Sequence, residues 1–181
     1  MLNSQIVRAT LLCLACSSAV FAQAAPANPV SDAIRQSWAE ARRNISESAT
    51  VMADADFAFK PVDSVRTFGA ILAHVAGASY EFCAAAKNVA PPHREDEFEK
   101  TAKTAAEIRK AVTESLAYCD SAYSALTDRS AAEMANAAFG SGKAPRAAAL
   151  IGNASHLMEH YGNLVTYFRI KGIVPPSSRR Q

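Results

Sequence analysis

Apolar residues recur at spacings of three and four along most of this chain, and the pattern breaks where prolines and glycines gather. Ile34, Trp38, Ala41, Ile45, Ala49 and Met52 form the first such line, in a helix predicted over 31–53 that Ser31 or Asp32 can cap. Pro61 closes the break that follows, where Phe57 and Phe59 are placed to plug the end of a bundle. A second helix is predicted over 63–87, opened by Asp63 or Ser64 and carrying Phe68, Ile71, Leu72, Val75, Tyr80 and Phe82. After a loop with Pro91, Pro92 and a solvated His93, the line Phe98, Ala102, Ala105, Ile108, Val112, Leu116, Cys119, Tyr123 predicts one long helix over 95–126. Residues 127–144 are irregular, with a short helix expected over 130–138 and a break at Gly140 and Gly142. Pro145 can open a last helix that runs to Lys171, where Gly172 suits the position after the helix end and Pro175-Pro176 bars continuation. The polar tail 177–181 is expected to fray. Four long helices with no repeat and no strand-like alternation predict an all-α fold, an antiparallel four-helix bundle.

Composition agrees with that reading. Half of the 181 residues are hydrophobic, alanine is abundant and glycine scarce, which suits one helical domain with a sizeable core. The net charge of +2 comes without a Lys/Arg cluster along one face, which argues against nucleic acid as a partner.

The first residues are a different matter. Arg8 supplies a positive start, 9–21 a short apolar run, and Val20-Phe21-Ala22 or Ala22-Gln23-Ala24 the small residues that signal peptidase needs. Residues 1–24 are therefore expected to be a signal peptide, too short for a comfortable membrane span, and 25–181 a single domain that is periplasmic or secreted. Cys13 and Cys16 lie inside the signal without the preceding residues of a lipoprotein site, so no stable membrane insertion is expected after cleavage. Cys83 and Cys119 remain. In an oxidising compartment they are a candidate disulfide tying two helices together, the alternative being two buried free thiols.

The candidate chemistry centres on Gly152-Asn153-Ala154-Ser155-His156-Leu157-Met158-Glu159-His160-Tyr161-Gly162-Asn163. Two histidines four apart on a helix share a face and can reach one small cation, but two imidazoles leave a transition metal under-coordinated. The Glu that follows the first His in zincin proteases is absent, which disfavours that class. His74, in the middle of the second helix, can be a packed core histidine or a third ligand facing His156 and His160. Gly77 and Ala78 leave space beside its ring, and Glu81 lies two turns on as a carboxylate within reach. Three neutral nitrogens with positions left open for water suit a catalytic metal site rather than a structural one. Asn153, Asn163 and Tyr167 follow the same stripe and are candidates to line the pocket; the alternative is polar residues at a bundle seam.

These residues carry a resemblance. Val65-Arg-Thr-Phe-Gly-Ala-Ile-Leu-Ala-His74-Val-Ala-Gly-Ala, the His156/His160 segment through Tyr167, and Gly172-Ile-Val-Pro-Pro-Ser-Ser together resemble exported members of the DinB family, over nearly the whole mature chain. The resemblance implies a four-helix bundle holding a divalent metal, zinc or nickel foremost, on three histidines that map to His74, His156 and His160. It also implies a homodimer through bundle faces and, for activity, a metal-dependent hydrolase or a thiol transferase acting on an unidentified small molecule through a metal-bound water or thiolate. Glu81 is the expected proton acceptor. Glu159 is the weaker candidate because it sits about 100° round the helix from His160. Export argues against low-molecular-weight thiols as cosubstrates, and a non-catalytic bundle that binds a metal or small ligand is the alternative function.

Overall fold

A computed structural model describes residues 27–179; the expected signal segment 1–24, with Cys13 and Cys16, lies outside the described residues. Four long helices build the domain: α1 (Pro29–Val51), α2 (Phe68–Lys87), α4 (Ala105–Ser124) and α6 (Arg146–Ile170). Two short ones, α3 (Glu97–Thr101) and α5 (Asp128–Ala131), and a hairpin of β1 (Met134–Asn136) and β2 (Lys143–Pro145) fill the connections.

Each long helix packs against two others, so that the order around the bundle is α1, α4, α2, α6. The expected antiparallel packing holds for two of these neighbouring pairs. Phe68 meets Phe168 while Phe82 meets Gly152, so α2 and α6 run in opposite senses. Val30 and Ser31 meet Asp128 just beyond α4 while Ala49 meets Arg109, so α1 opposes α4. The other two pairs are parallel: Gly69 faces Ile108 while Cys83 faces Cys119, and Ile34 shares a groove with Ile151 while Asn44 touches Met158. The connection 88–104 makes this possible, since it is long enough to return along the roughly 30 Å of a helix such as α2.

The core follows the expected apolar lines. All six positions of the first line are buried, with Ile45 at 0% and Met52 at 1% exposure, and each large side chain of this kind contributes about 1.5–3 kcal/mol. Because α2 touches α3, α4 and α6, it is buried nearly all round. Cys83 and Cys119 form a disulfide between the parallel helices α2 and α4, with Cα atoms 5.4 Å apart.

Several boundaries differ from the sequence reading, each through a polar contact that periodicity does not register. The long helix expected over 95–126 is two, because Thr104 and Glu107 cap α4 reciprocally and Ala102 turns extended. Helix α2 opens at a Thr67 cap rather than at Asp63 or Ser64, which leaves 61–66 as a loop. Helix α1 starts earlier, at Pro29, and its first amides are capped from outside by Asp128, which accepts from Ser31 N at 2.7 Å. The helix expected over 130–138 shrinks to one turn, and a hairpin follows. Asn88, left-handed at φ 59°, ends α2 and accepts with its side chain from Asn136 N and Lys143 Nζ, both at 3.1 Å. The tail does not fray before residue 179: Pro176–Arg179 form a short 3-10 turn, and Tyr161 Oη bonds Ser177 at 2.8 Å. His93 keeps over a third of its side chain exposed in the loop while its ring meets Tyr80 and Phe98.

Candidate metal centre

The parallel and antiparallel pairing of α2 brings His74 against the middle of α6. Nε2 of His74 and Nε2 of His160 each lie 3.1 Å from Nε2 of His156. These donor atoms all fall within 4.8 Å of one another. A cation bound at about 2.0–2.1 Å by three imidazoles sets its nitrogens roughly 3.0–3.4 Å apart, and the two separations from His156 match that spacing. His74 and His160 are buried, at 6% and 8% exposure, and His156 is half-buried.

The outer nitrogens decide which electrons face inward. Oε1 of Glu99 is 3.1 Å from Nδ1 of His74, and a carboxylate there makes Nδ1 the donor and turns the Nε2 lone pair toward the centre. Glu95 stands behind at 3.6 Å. The amide of Asn163 lies 3.4 Å from Nδ1 of His160. Nδ1 of His156 is buried without a partner among the described residues, and the ring meets Phe82, whose centroid is 5.7 Å away. Burial, then the charges of His160 and His74, push the His156 pKa down to about 4. Burial foremost lowers His160 as well. Both shifts favour the neutral ring, which is the form that binds a metal.

Glu99 is in place because α2 lets its segment approach. A Cβ on Gly77, one turn after His74, would stand 2.1 Å from the carbonyl oxygen of Glu95 and 2.7 Å from that of Arg94. The glycine therefore does not open space beside the ring, as its small size suggests in the sequence; it admits the backbone of 94–95, which sets Glu95 and Glu99 over His74.

The other expected site residues divide. Asn163 and Tyr167 line a cavity of about 600 Å³ that borders the trio through His160, together with Val65, Arg66 and Ile71. Asn153 does not line it. It is fully buried in the core, with Nδ2 3.5 Å and 3.6 Å from the two disulfide sulfurs and 3.3 Å from Tyr123 Oη. Glu81 is not the carboxylate on His74: it pairs with Arg94 at 3.1 Å and lines a separate cavity without the histidines. Glu159 points to solvent. Glu99 and Arg66 were not singled out by the sequence, where Glu99 reads as one acid on a solvated helix face.

Residues 37–164 match the DinB superfamily. No curated protein matches the chain. Among solved structures, a DinB-like protein from Bacillus cereus ATCC 10987 superposes with a TM-score of 0.61 at 17% identity, covering 80% of this chain and 95% of that one. A DinB-like protein from Bacillus subtilis gives 0.62 at 18% identity, over 82% of this chain and 99% of its own. A mycothiol-dependent maleylpyruvate isomerase gives 0.62 at 16% identity over 74% of this chain, which spans 60% of the isomerase. At such identities the likeness is one of fold.

Proposed function

This chain belongs to the DinB superfamily, and from that premise we propose that it is an exported metal-dependent enzyme, a hydrolase or transferase acting on a small molecule. The observation that carries the proposal is the convergence of three Nε2 atoms, that of His156 lying 3.1 Å from each of the other two, beside a cavity of about 600 Å³. His74, His156 and His160 would hold the cation; three imidazoles accept zinc, nickel, copper or iron, and the family resemblance favours zinc or nickel. A divalent ion held there supplies Lewis acidity and lowers the pKa of water or a thiol at its open positions. The rest is done by the chain. Glu99 keeps His74 in the ligating tautomer, burial favours the neutral rings of His156 and His160, and Asn163 and Tyr167 bound the space a substrate would fill. Expected export, with its oxidising surroundings and the Cys83–Cys119 disulfide, favours hydrolysis over thiol transfer.

The test is a metal-loaded preparation assayed on ester, amide and thiol-acceptor panels beside His156→Ala. Turnover lost in a folded variant is the expected result. No turnover on any panel, with metal removal costing only stability, would replace the enzyme with a non-catalytic metal-binding bundle. A homodimer is proposed through the α1–α6 face, where Val30, Ile151 and Met158 border an apolar groove of about 490 Å³; a monomer in sedimentation velocity would remove it.

A further inference from the structure

The cavity beside the histidines carries more chemistry than holding a metal requires. Pro61, Val65 and Ile71 give it an apolar wall, while Ser64, Asn163 and Thr166 offer hydrogen bonds. Arg66 is the one charged side chain among its lining residues apart from the titratable His160. That arginine sits in the loop left outside α2 by the late Thr67 cap, and its carbonyl accepts from Tyr167 Oη at 2.6 Å, which fixes the base of the side chain at the cavity rim. One edge of the guanidinium is spent on Glu99, through Nε at 3.0 Å and Nη2 at 3.4 Å. Nη1 has no partner among the described residues, and the side chain is 46% exposed.

The charge balance then has one sign. No carboxylate lines the cavity, and Glu99, the acid paired with its arginine, is shared between Arg66 and His74. Three neutral imidazoles bring no negative charge to offset a divalent cation, so a loaded centre adds to the positive field instead of cancelling it. A planar fork with one free edge matches a carboxylate, and the apolar wall matches a hydrocarbon body.

Resting on the enzyme reading above, we infer that the small molecule this cavity takes is an organic carboxylate, held by the free edge of Arg66 with its apolar body against Val65 and Ile71. Arg66 is a binding residue for that acid. The test uses isothermal titration of the full mature chain with hexanoate and hexanamide, in metal-loaded and metal-stripped protein, for wild type, Arg66→Gln and Arg66→Lys. Wild type is expected to prefer the acid about tenfold or more in both metal states, Arg66→Gln to lose that preference, and Arg66→Lys to keep part of it. Circular dichroism and elemental analysis of each variant check that fold and metal content are unchanged. Equal affinity for acid and amide in wild type, or a preference that survives in Arg66→Gln, overturns the inference. A preference that survives in Arg66→Gln but vanishes on metal removal places the carboxylate on the cation and overturns it equally. Failure of the metal reading shows separately, as wild-type protein without bound metal, and leaves the stripped-protein arm to judge Arg66.

Discussion

Gly77→Ala sets two effects of opposite sign against each other, and the structure says which wins. In an ordinary helix interior the change stabilises by about 1 kcal/mol, because alanine loses less backbone entropy. Here the new Cβ would lie 2.1 Å from Glu95 O and 2.6 Å from its carbonyl carbon, both backbone atoms that no rotamer change can move. Ordinary contact needs about 3.4 Å or more, so the segment 94–95 must retreat by roughly 1 Å, a strain costing about 1–3 kcal/mol. The same retreat carries Glu99 away from His74: a bond of 3.1 Å becomes a gap of roughly 4 Å, too long for a hydrogen bond. Loss of the carboxylate that orients a ligating histidine typically weakens metal binding by about 10–100-fold. The assays are urea denaturation and competition with a chelating dye. We expect a variant that is less stable by up to about 2 kcal/mol and binds zinc at least about tenfold more weakly. A variant about 1 kcal/mol more stable than wild type, with zinc affinity unchanged, would refute the reasoning that the glycine serves the approach of Glu99.

The remaining predictions concern the same framework. Glu99→Gln should weaken zinc binding by about 10–100-fold, whereas Glu81→Gln should leave it unchanged; equal losses in a dye competition would contradict the assignment of the carboxylate. The Cys83→Ala/Cys119→Ala variant opens a loop with a sequence separation of 36 and should lose about 2–4 kcal/mol, seen as a Tm lower by roughly 5–15 °C; an unchanged Tm would deny the bridge a structural role. In the metal-free protein the His156 pKa of about 4 lies below its ordinary 6.5, so as pH falls the unfolded chain takes up the proton first. Stability is full above pH 6.5 and declines toward pH 4, and denaturation midpoints should lose that slope in His156→Leu; an identical slope in the variant would show that other groups cause it.

Much of the architecture was legible because one face of each long helix must be buried. Ile34 through Met52 and Ile108 through Tyr123 announce themselves by spacing, and both lines are core. What spacing cannot register is polar contact between distant segments. The Thr104/Glu107 cap breaks a helix that apolar periodicity runs straight through, although the T-x-x-E pattern was there to be read. Asp128 caps α1 from 97 positions away, and no local signal predicts that. For the site, His156 and His160 are legible from their spacing, whereas His74 amid its apolar run reads equally as a packed core histidine and is marked as a ligand by the family resemblance. Glu99 was not, because its partner is 25 positions distant and its own helix reads as solvated. Gly77 held the clue, since a glycine beside a buried histidine in a well-packed helix marks a close approach rather than an opening. Asn153 was left open between pocket and bundle seam for a related reason: its place on the histidine stripe says which way it points, but not that the disulfide and Tyr123 fill the space in front of it.

The central claim is that three rings share one cation, and X-ray absorption at the zinc edge on the mature protein, with elemental analysis of wild type and of His74→Ala, His156→Ala and His160→Ala, tests it most directly. The account predicts one divalent ion per chain with three imidazole nitrogens at about 2.0–2.1 Å, and loss of most of that metal in each variant. Equal metal content in all four proteins, or a spectrum without imidazole ligation, would contradict it.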